Sequence, residues 1–521
     1  MESTHEEKSK FKLVYVKELK KYTFKNICGM LSLKDDECTK LLKKLKYYGI
    51  VKALKGNTIE ISLSDLSDEE IIILEDDLNF TGIYYVFKFV GVITINNCII
   101  ISYPKYIKNS NSPEIEVKQI LKVLKKYNAD EQYLNLYNGD LTENKFNFLA
   151  IILSIIDDYF NNGLYSNHKE TIDVNGAGEV LWDKTINENY AYISNNKPVY
   201  LELFTKSIVE DDSDYFNKLH KCILGECFKI LSLSKLDNLF EISYISEFED
   251  SSYDFGDDEY ILYRIEQEIN VQYLTQKQIV LKNIYLYISH RKSSMMDLGF
   301  SLYGTTSFNL VWEKVCTEVL DNRLNTKLED LPLSLSDNYK KYKNKTLLEI
   351  IEKPIWKTYE NDNIISRKAN KTLTPDLINV SKLDGKYGLS IFDAKYYDIT
   401  FTKDKVYNQP GVSDITKQYL YQIAYDDFIK SNGYTFAMNA FLLPSECEEI
   451  VNIGQAEMRI LFNLPNINIK NIEIINLPAM RMYDLYINNK ILDLNNIFNE
   501  IKSFSAKEIE ENINLEINSL V

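Results

Sequence analysis

Apolar residues along the chain follow two rhythms. Between about 113 and 168, from 213 to 235 and from 265 to 292 they recur at steps of three and four. Ile120, Leu121, Val123 and Leu124 show this, as do Phe148, Leu149, Ile152, Leu153 and Ile156, and the period predicts amphipathic helices. From Gly82 to Ile107 the rhythm changes to IYYVFKFVGVITI, then Asn96-Asn97, then CIIISYPKYI, which predicts two strands about a two-residue turn. Nearer the start, Thr23 to Leu31 reads as one helix, and Ser32 reads as the N-cap of a second. Cys38, Leu41, Leu42, Leu45 and Tyr48 give that second helix its apolar face, ending at Gly49. An alternating segment, Ile59 to Leu63, follows a Gly56-Asn57 turn. Helix, turn, helix and small hairpin is the order of a winged helix.

Composition bounds the class. The chain has 521 residues, 45% hydrophobic and 26% charged, which suits a globular protein of several domains. Ten Pro and 18 Gly exclude collagen-like and linker-rich chains. Seven scattered Cys with no CxxC pair, and four distant His, leave neither a disulfide framework nor a zinc site, so the thiols are expected to be free and a hydrolytic metal site must be built from carboxylates. The longest mainly apolar run, Phe148 to Ile156, is far shorter than the roughly 20 residues of a membrane span, and MESTHEEKSK is not a secretory leader. A cytoplasmic protein with no membrane association is expected.

The net charge of -16 argues against a wholly basic nucleic-acid coat protein, yet residues 1 to 60 carry 14 Lys against 8 Asp and Glu. Lys40, Lys43, Lys44 and Lys46 fall on the polar side of the second helix. They form a candidate DNA-binding face, or else the solvated side of a structural or partner-docking domain. Glu247 to Glu259, with seven acids and no Lys or Arg, reads as a solvated loop. No Walker A signature occurs, and Gly176-Ala177-Gly178 lacks the third glycine of a dinucleotide fingerprint.

The segment that carries chemistry is Leu373-Thr374-Pro375-Asp376-Leu377-Ile378, a turn at Asp384-Gly385-Lys386, then Tyr387 to Tyr396 with Asp393-Ala394-Lys395. It predicts a β-hairpin. Sixteen residues separate Asp376 from Asp393, and the two-residue strand period puts Asp393 and Lys395 on one face. One carboxylate from each strand would converge beside a lysine. Mg2+ commonly takes one or two carboxylates and leaves room for water and phosphate oxygens, so Asp376 and Asp393 are candidate metal ligands. Lys395 would orient water and screen a phosphate. Pro-Asp at a strand start and Asp-x-Lys on a strand also arise by chance, so the flanks matter. Upstream, Phe308 to Cys316 is an amphipathic helix that brings Glu313 beside its apolar face. Downstream, Asp414, Gln418 and Tyr421 share a helix face.

The order helix, strand, strand, helix, with Trp312-Glu313, Pro375-Asp376, Asp393-Ala394-Lys395 and Lys417-Gln418 to Tyr421, resembles the nuclease domain of McrC-like endonucleases. With Phe89 to Ile93, Tyr103 to Tyr106 and Gly176 to Ile186 added, the chain resembles the LlaJI family of restriction endonucleases. With the element order read above, the resemblance leads to the expectation of a multidomain α/β protein: a winged-helix-like domain over 1–65 and a β module with helices over 66–290, both read from the residues, the latter a partner-docking region by the resemblance, and a carboxyl-terminal PD-(D/E)XK α/β nuclease domain over 291–521. It implies a Mg2+-dependent restriction endodeoxyribonuclease of type II or type IV character, acting on double-stranded DNA with an AAA+ GTPase motor subunit of McrB type. Asp376, Asp393 and Lys395 would be catalytic, with Glu313 and Gln418 in support. Gly176 to Ile186 is then a candidate contact with the motor, against the plainer reading of a tight turn packing Trp182 into the core. A homo-oligomer is left open. Two other functions stay open as well: a DNA-binding adaptor whose nuclease fold is idle, and a nuclease acting on RNA or branched DNA.

Overall fold

A computed structural model describes residues 12–55, 83–95, 98–109, 113–138, 148–210, 214–243, 245, 248, 255–294, 300–360, 363–383, 385–401, 405–461, 469–495, 497–498 and 500. The chain folds into two compact units of mixed α/β structure. One comprises residues 1–13, 93–99 and 141–303, and the other 14–92, 100–140 and 304–521.

The first unit is mainly helical, with long helices at Phe148–Asn162, Tyr215–Ser234, Asp258–Val271 and Thr275–Ser294. The expected run Phe148 to Ile156 is buried at every position but Ser154, so this helix forms core rather than a half-solvated face. Phe148 stacks on Tyr287 with ring centroids 5.3 Å apart. The acidic stretch ends inside an element: Asp257 caps Asp258–Val271 by accepting from Tyr260 N, and Asp258 pairs with Arg291. A smaller β module joins His168–Val174, Phe204–Glu210 and Glu179–Val180 in one sheet, with a hairpin of Tyr192–Ser194 and Lys197–Val199. Gly178 is required there, because a Cβ would lie 2.1 Å from Lys206 O on the neighbouring strand. Trp182 is not core: it stands 56% exposed at the start of the helix Trp182–Glu188. Its helix is only seven residues, about two turns, over a three-stranded sheet, too little structure to cover an indole.

The second unit begins with helices Phe24–Leu31 and Asp35–Tyr47 and a three-stranded sheet of Lys21–Thr23, Ile83–Phe87 and Val51–Lys55. Thr23 caps the first helix as its sequence suggests. Ser32 does not cap the second: it ends the first in the left-handed conformation at φ 54°, and Lys34 is the N-cap, its N–H donating to Glu37 Oε2. The competing C-terminal cap of the first helix claimed the serine. Cys38, Leu41, Leu42 and Leu45 are buried, and Lys40, Lys43, Lys44 and Lys46 are exposed. The Gly56-Asn57 turn and Ile59 to Leu63 lie outside the described residues. The first of the two runs expected over 82–107 is split, Ile83–Phe87 joining the three-stranded sheet and Val90–Ile95 lying beside Cys98–Tyr103 in another, and the Asn96-Asn97 connection is likewise outside.

The rest of this unit carries the site. Its elements are numbered α1 (Phe308–Val319), β1 (Ile355–Glu360), β2 (Asn363–Lys368), β3 (Leu377–Leu383), β4 (Lys386–Ala394), α2 (Val412–Ser431), β5 (Thr435–Ser445), β6 (Val451–Ala456), β7 (Ile472–Pro478) and α3 (Ala479–Ile487). Five strands form one sheet in the order β3-β4-β5-β7-β6. β3 and β4 are an antiparallel hairpin turned at Gly385, whose φ of +83° suits glycine. β4 then runs parallel to β5, so the chain must cross over between them, and α2 is that crossover. β4 is buried without a break from Gly388 to Asp393, as a central strand covered on both faces requires. α1 is anchored beneath by Trp312, fully buried, whose indole Nε1–H donates to Leu442 O at 3.0 Å while its ring meets Tyr483 of α3 edge-on.

Candidate active site

The register of the hairpin brings the two aspartates together. Leu377 pairs with Phe392, so one step further sets Asp376 opposite Asp393. Asp376 Oδ2 accepts the Ala394 N–H at 3.1 Å, which ties the start of β3 to the end of β4. Asn322 holds the same strand start from outside: its Nδ2 donates to Asp376 O at 3.0 Å and its Oδ1 accepts from Ile378 N at 3.1 Å. Tyr421 of α2 donates to Thr374 O at 2.9 Å. The Pro-Asp corner is thus fixed by four hydrogen bonds before any ligand arrives.

Lys395 Nζ lies 2.8 Å from Asp393 Oδ2 and 3.3 Å from Asp414 Oδ1, at the start of α2. Burial alone would lower its pKa, but Asp393 and Asp414 outweigh that and hold it above the ordinary lysine value. Lys395 therefore stays a cation at neutral pH. Asp376 shifts upward, first because it is buried and then because Asp393 and Glu313 disfavour a second negative charge nearby. Glu313, half-buried on α1, shifts upward through burial first and Asp393 second, with Lys395 opposing. Four of the five expected residues therefore share one electrostatic centre: Asp376, Asp393, Lys395 and Glu313. Gln418 does not face it. Its amide lies buried beneath the sheet and donates to Ile391 O and Ala440 O, bracing β4 and β5.

Several contributors escape a sequence reading. Tyr396, next to the lysine, is buried and donates to Glu18 Oε2 at 2.5 Å. The Lys105 backbone N–H meets both Glu18 Oε2, at 3.2 Å, and the Tyr396 hydroxyl, at 3.3 Å, and the Lys105 ammonium sits 4.5 Å from the Tyr396 ring centroid. Burial pushes Glu18 up and Lys105 down to about 8. A buried acid, a buried lysine and a tyrosine thus pin the backbone one residue after Lys395. No local signal marks Glu18, which is 378 residues from Tyr396.

Among the described residues, no three His, Cys, Asp or Glu side chains form a ready metal cage. The donor set is nonetheless that of a hard cation: two carboxylates forced together at a cost that a divalent ion would offset, with no imidazole beside them and with the neighbouring Cys316 thiol kept protonated by burial and by Asp376 and Glu313. The residues present fit Mg2+. All seven cysteines are free. His220 is buried and accepts the Tyr165 N–H at Nδ1, 3.0 Å away. Among the described residues no helix is long and apolar enough to cross a membrane.

The comparisons with known proteins place the chain among the restriction endonucleases. The family model of the LlaJI restriction endonucleases matches residues 89–479, well over half of the chain. The chain belongs to that family. It is also 26% identical over 435 residues to a Bacillus subtilis (strain 168) protein described as type II restriction enzyme BsuMI component YdjA, covering 81% of this chain and 85% of that one. Two solved Thermococcus gammatolerans structures show similarity: McrC bound to McrB AAA+ hexamers in a half-complex of a tetradecameric assembly, and the McrBC complex. The first has 12% identity and a TM-score of 0.33 over 92% of this chain and 100% of that chain. The second has 13% identity and a TM-score of 0.22 over 53% and 80%. These superpositions are too loose for any residue to be carried across.

Proposed function

We propose that the chain is the DNA-cleaving subunit of a restriction complex, with residues 291–521 forming a PD-(D/E)XK nuclease domain and Asp376 and Asp393 holding Mg2+. The observation that carries this reading is the convergence of Asp376, Asp393 and Lys395 from two adjacent strands. A bound Mg2+ would neutralise charge on the scissile phosphate and make an attacking water more acidic. Lys395, kept protonated by Asp393 and Asp414, acts as a fixed cation toward the phosphate and as a donor that orients water, and not as a general base. Glu313, whose proton affinity is raised by burial and by Asp393, supports the centre from α1. Gln418 serves by keeping β4 and β5 in place.

The absence of a Walker A signature from the chain suits a division of labour with a separate AAA+ GTPase of McrB type, as the family resemblance implies. The β module around Trp182 and Ile186, both more than half exposed, is the surface proposed for that contact. Lys40, Lys43, Lys44 and Lys46, on a winged-helix-like domain over 1–65, are proposed to meet duplex DNA. Cytoplasmic action on foreign DNA completes the reading.

The test is cleavage of supercoiled and linear duplex DNA by the full chain and Asp393→Ala, each with and without Mg2+, the motor subunit and GTP. The expected result is Mg2+-dependent cleavage that falls on the order of 10^3-fold in the variant, the scale of losing a principal transition-state stabiliser. Equal cleavage by both proteins would remove Asp393 from the mechanism. No cleavage by the wild type in any combination would favour a DNA-binding adaptor.

A further inference from the structure

The hairpin β1–β2 precedes the Pro-Asp corner and carries an unusual surface. In the antiparallel register Trp356 pairs with Arg367, Lys357 with Ser366, Tyr359 with Ile364 and Ile355 with Lys368. Partners in such a ladder share a face, so Trp356 and Arg367 lie on one side and Lys357, Tyr359, Ile364 and Lys368 on the other. Both sides are open to solvent: Trp356 is 73% exposed, Tyr359 78% and Ile364 62%. A two-stranded ribbon alone is marginally stable, and large aromatic side chains standing in water on both faces contribute little to it. Such a surface is built to be covered.

Charge indicates by what. Residues 353–371 contain Lys353, Lys357, Arg367, Lys368 and Lys371 against Glu360 and Asp362, a balance of +3 in a chain whose total is -16. Aromatic rings interleaved with cations suit nucleic acid, because phosphates take the charge and groove walls or bases take the rings. A two-stranded ribbon also has the width that the roughly 12 Å major groove admits.

Position gives the surface a purpose. The ribbon is closed at its base by Ala369 N donating to Pro354 O, followed by the Thr372 hydroxyl donating to Glu352 O. From Ala369 to Asp376 is seven residues, which even fully extended span at most ~24 Å. A duplex rising roughly 3.4 Å per base pair covers that in about seven base pairs. The base of the ribbon therefore lies within about one helical turn's length of a scissile phosphate at Asp376 and Asp393, in reach of the same duplex.

We infer that β1–β2 is a duplex-binding ribbon that grips DNA beside the cleavage point, Lys357, Arg367 and Lys368 on phosphates and Trp356 and Tyr359 against the groove. This rests on the reading of Asp376 and Asp393 as a DNA-cleaving centre, and it is tested by binding so that the two can fail separately. The experiment measures the affinity of the full chain for a fluorescent duplex, by anisotropy without divalent metal across a salt series. The proteins compared are the wild type, Lys357→Ala/Arg367→Ala/Lys368→Ala and Trp356→Ser. The triple variant is expected to bind at least ~10-fold more weakly and to lower the slope of log affinity against log salt by about three. Trp356→Ser should weaken binding with the slope kept. Melting temperatures and sedimentation are read on every protein, since exposed substitutions should leave the fold intact. Unchanged affinity and slope in the triple variant would overturn the inference. So would a switch from dimer to monomer with DNA binding intact, which would make the ribbon a contact between copies of the chain. A wild type that binds through the ribbon yet never cleaves would sink the nuclease reading and leave this one standing.

Discussion

Among the described residues the helical unit has no fully buried carboxylate or ammonium, its most enclosed ion pair being Arg291–Asp258, whereas the sheet unit buries charge outright. In the helical unit the described buried polar residues are Thr94, Thr185, Thr205, Asn217, His220, Ser234 and Asn283, and burial pushes His220 down to about 4, so it is uncharged at neutral pH. The sheet unit encloses Glu18, Lys105 and Asp393, with Lys395 and Asp376 close to buried. Burying charge is expensive, and a fold retains it where the charge has work to do. The surfaces divide the same way. The β module of the helical unit, residues 168–206, exposes Trp182, Ile186, Tyr192 and Ile193 with four Lys against six Asp and Glu. The ribbon of the sheet unit exposes Trp356, Tyr359 and Ile364 with a cationic balance. Aromatic exposure is shared by the two proposed contact surfaces, and the sign of the local charge is what assigns one to a protein partner and the other to DNA in that reading.

The contrast breaks most visibly if the buried charges of the sheet unit prove idle. Tyr396→Phe removes the hydroxyl that joins Glu18 to the segment after Lys395. Steady-state cleavage should show kcat reduced about 10- to 100-fold with duplex affinity unchanged, because small misplacements of a catalytic group carry costs of that order. An unaltered kcat would make the network purely structural.

Next in size is the proposed protein-facing surface. Trp182→Ala should weaken binding of the motor subunit about 10-fold or more, as loss of an aromatic anchor does, while leaving DNA affinity as it was. Pull-down and titration with the motor would show it. The reverse pattern, with DNA binding lost and the motor retained, would exchange the roles assigned to the two surfaces.

The smallest effect concerns pH, where the two units should respond with opposite sign. His220 has a folded pKa below its unfolded value of about 6.5, so its contribution is present above that pH and is lost as pH falls toward 4. Between pH 7.5 and 5.5 the loss is about 1 kcal/mol. His220→Asn should flatten that slope in a melting series. Asp376 has a folded pKa above its unfolded value, so in metal-free protein its contribution is present at low pH and is lost as pH rises. Asp376→Asn should therefore raise the melting temperature of metal-free protein at pH 8, and a lowered one would contradict the shift.

What the sequence disclosed follows how far each signal reaches. The Asp376–Asp393–Lys395 group was legible because a hairpin register and a two-residue period are local rules, and β3 and β4 obey them. The helices around Leu121, Ile152 and Trp312 were legible for the same reason. Ser32 misled because one residue stood between two helix ends and both had a use for it. Trp182 and Gln418 depended on which neighbouring element covers them, and that lies beyond any local pattern. Glu18, Lys105 and Asn322 act on the site across 54 to 378 residues of chain, with no spacing to announce them.

The central claim is that the charge buried in the sheet unit is a divalent-metal centre for cutting DNA. The most direct measurement is a Mn2+ titration, followed by electron paramagnetic resonance, of the full chain bound to an uncleavable phosphorothioate duplex, compared with Asp376→Asn and Asp393→Asn. The account predicts saturable binding in the wild type and its loss in both variants, with Asp393→Asn still bound to DNA. Mn2+ binding that survives both substitutions, or is missing from a wild-type complex shown to hold the duplex, would contradict it.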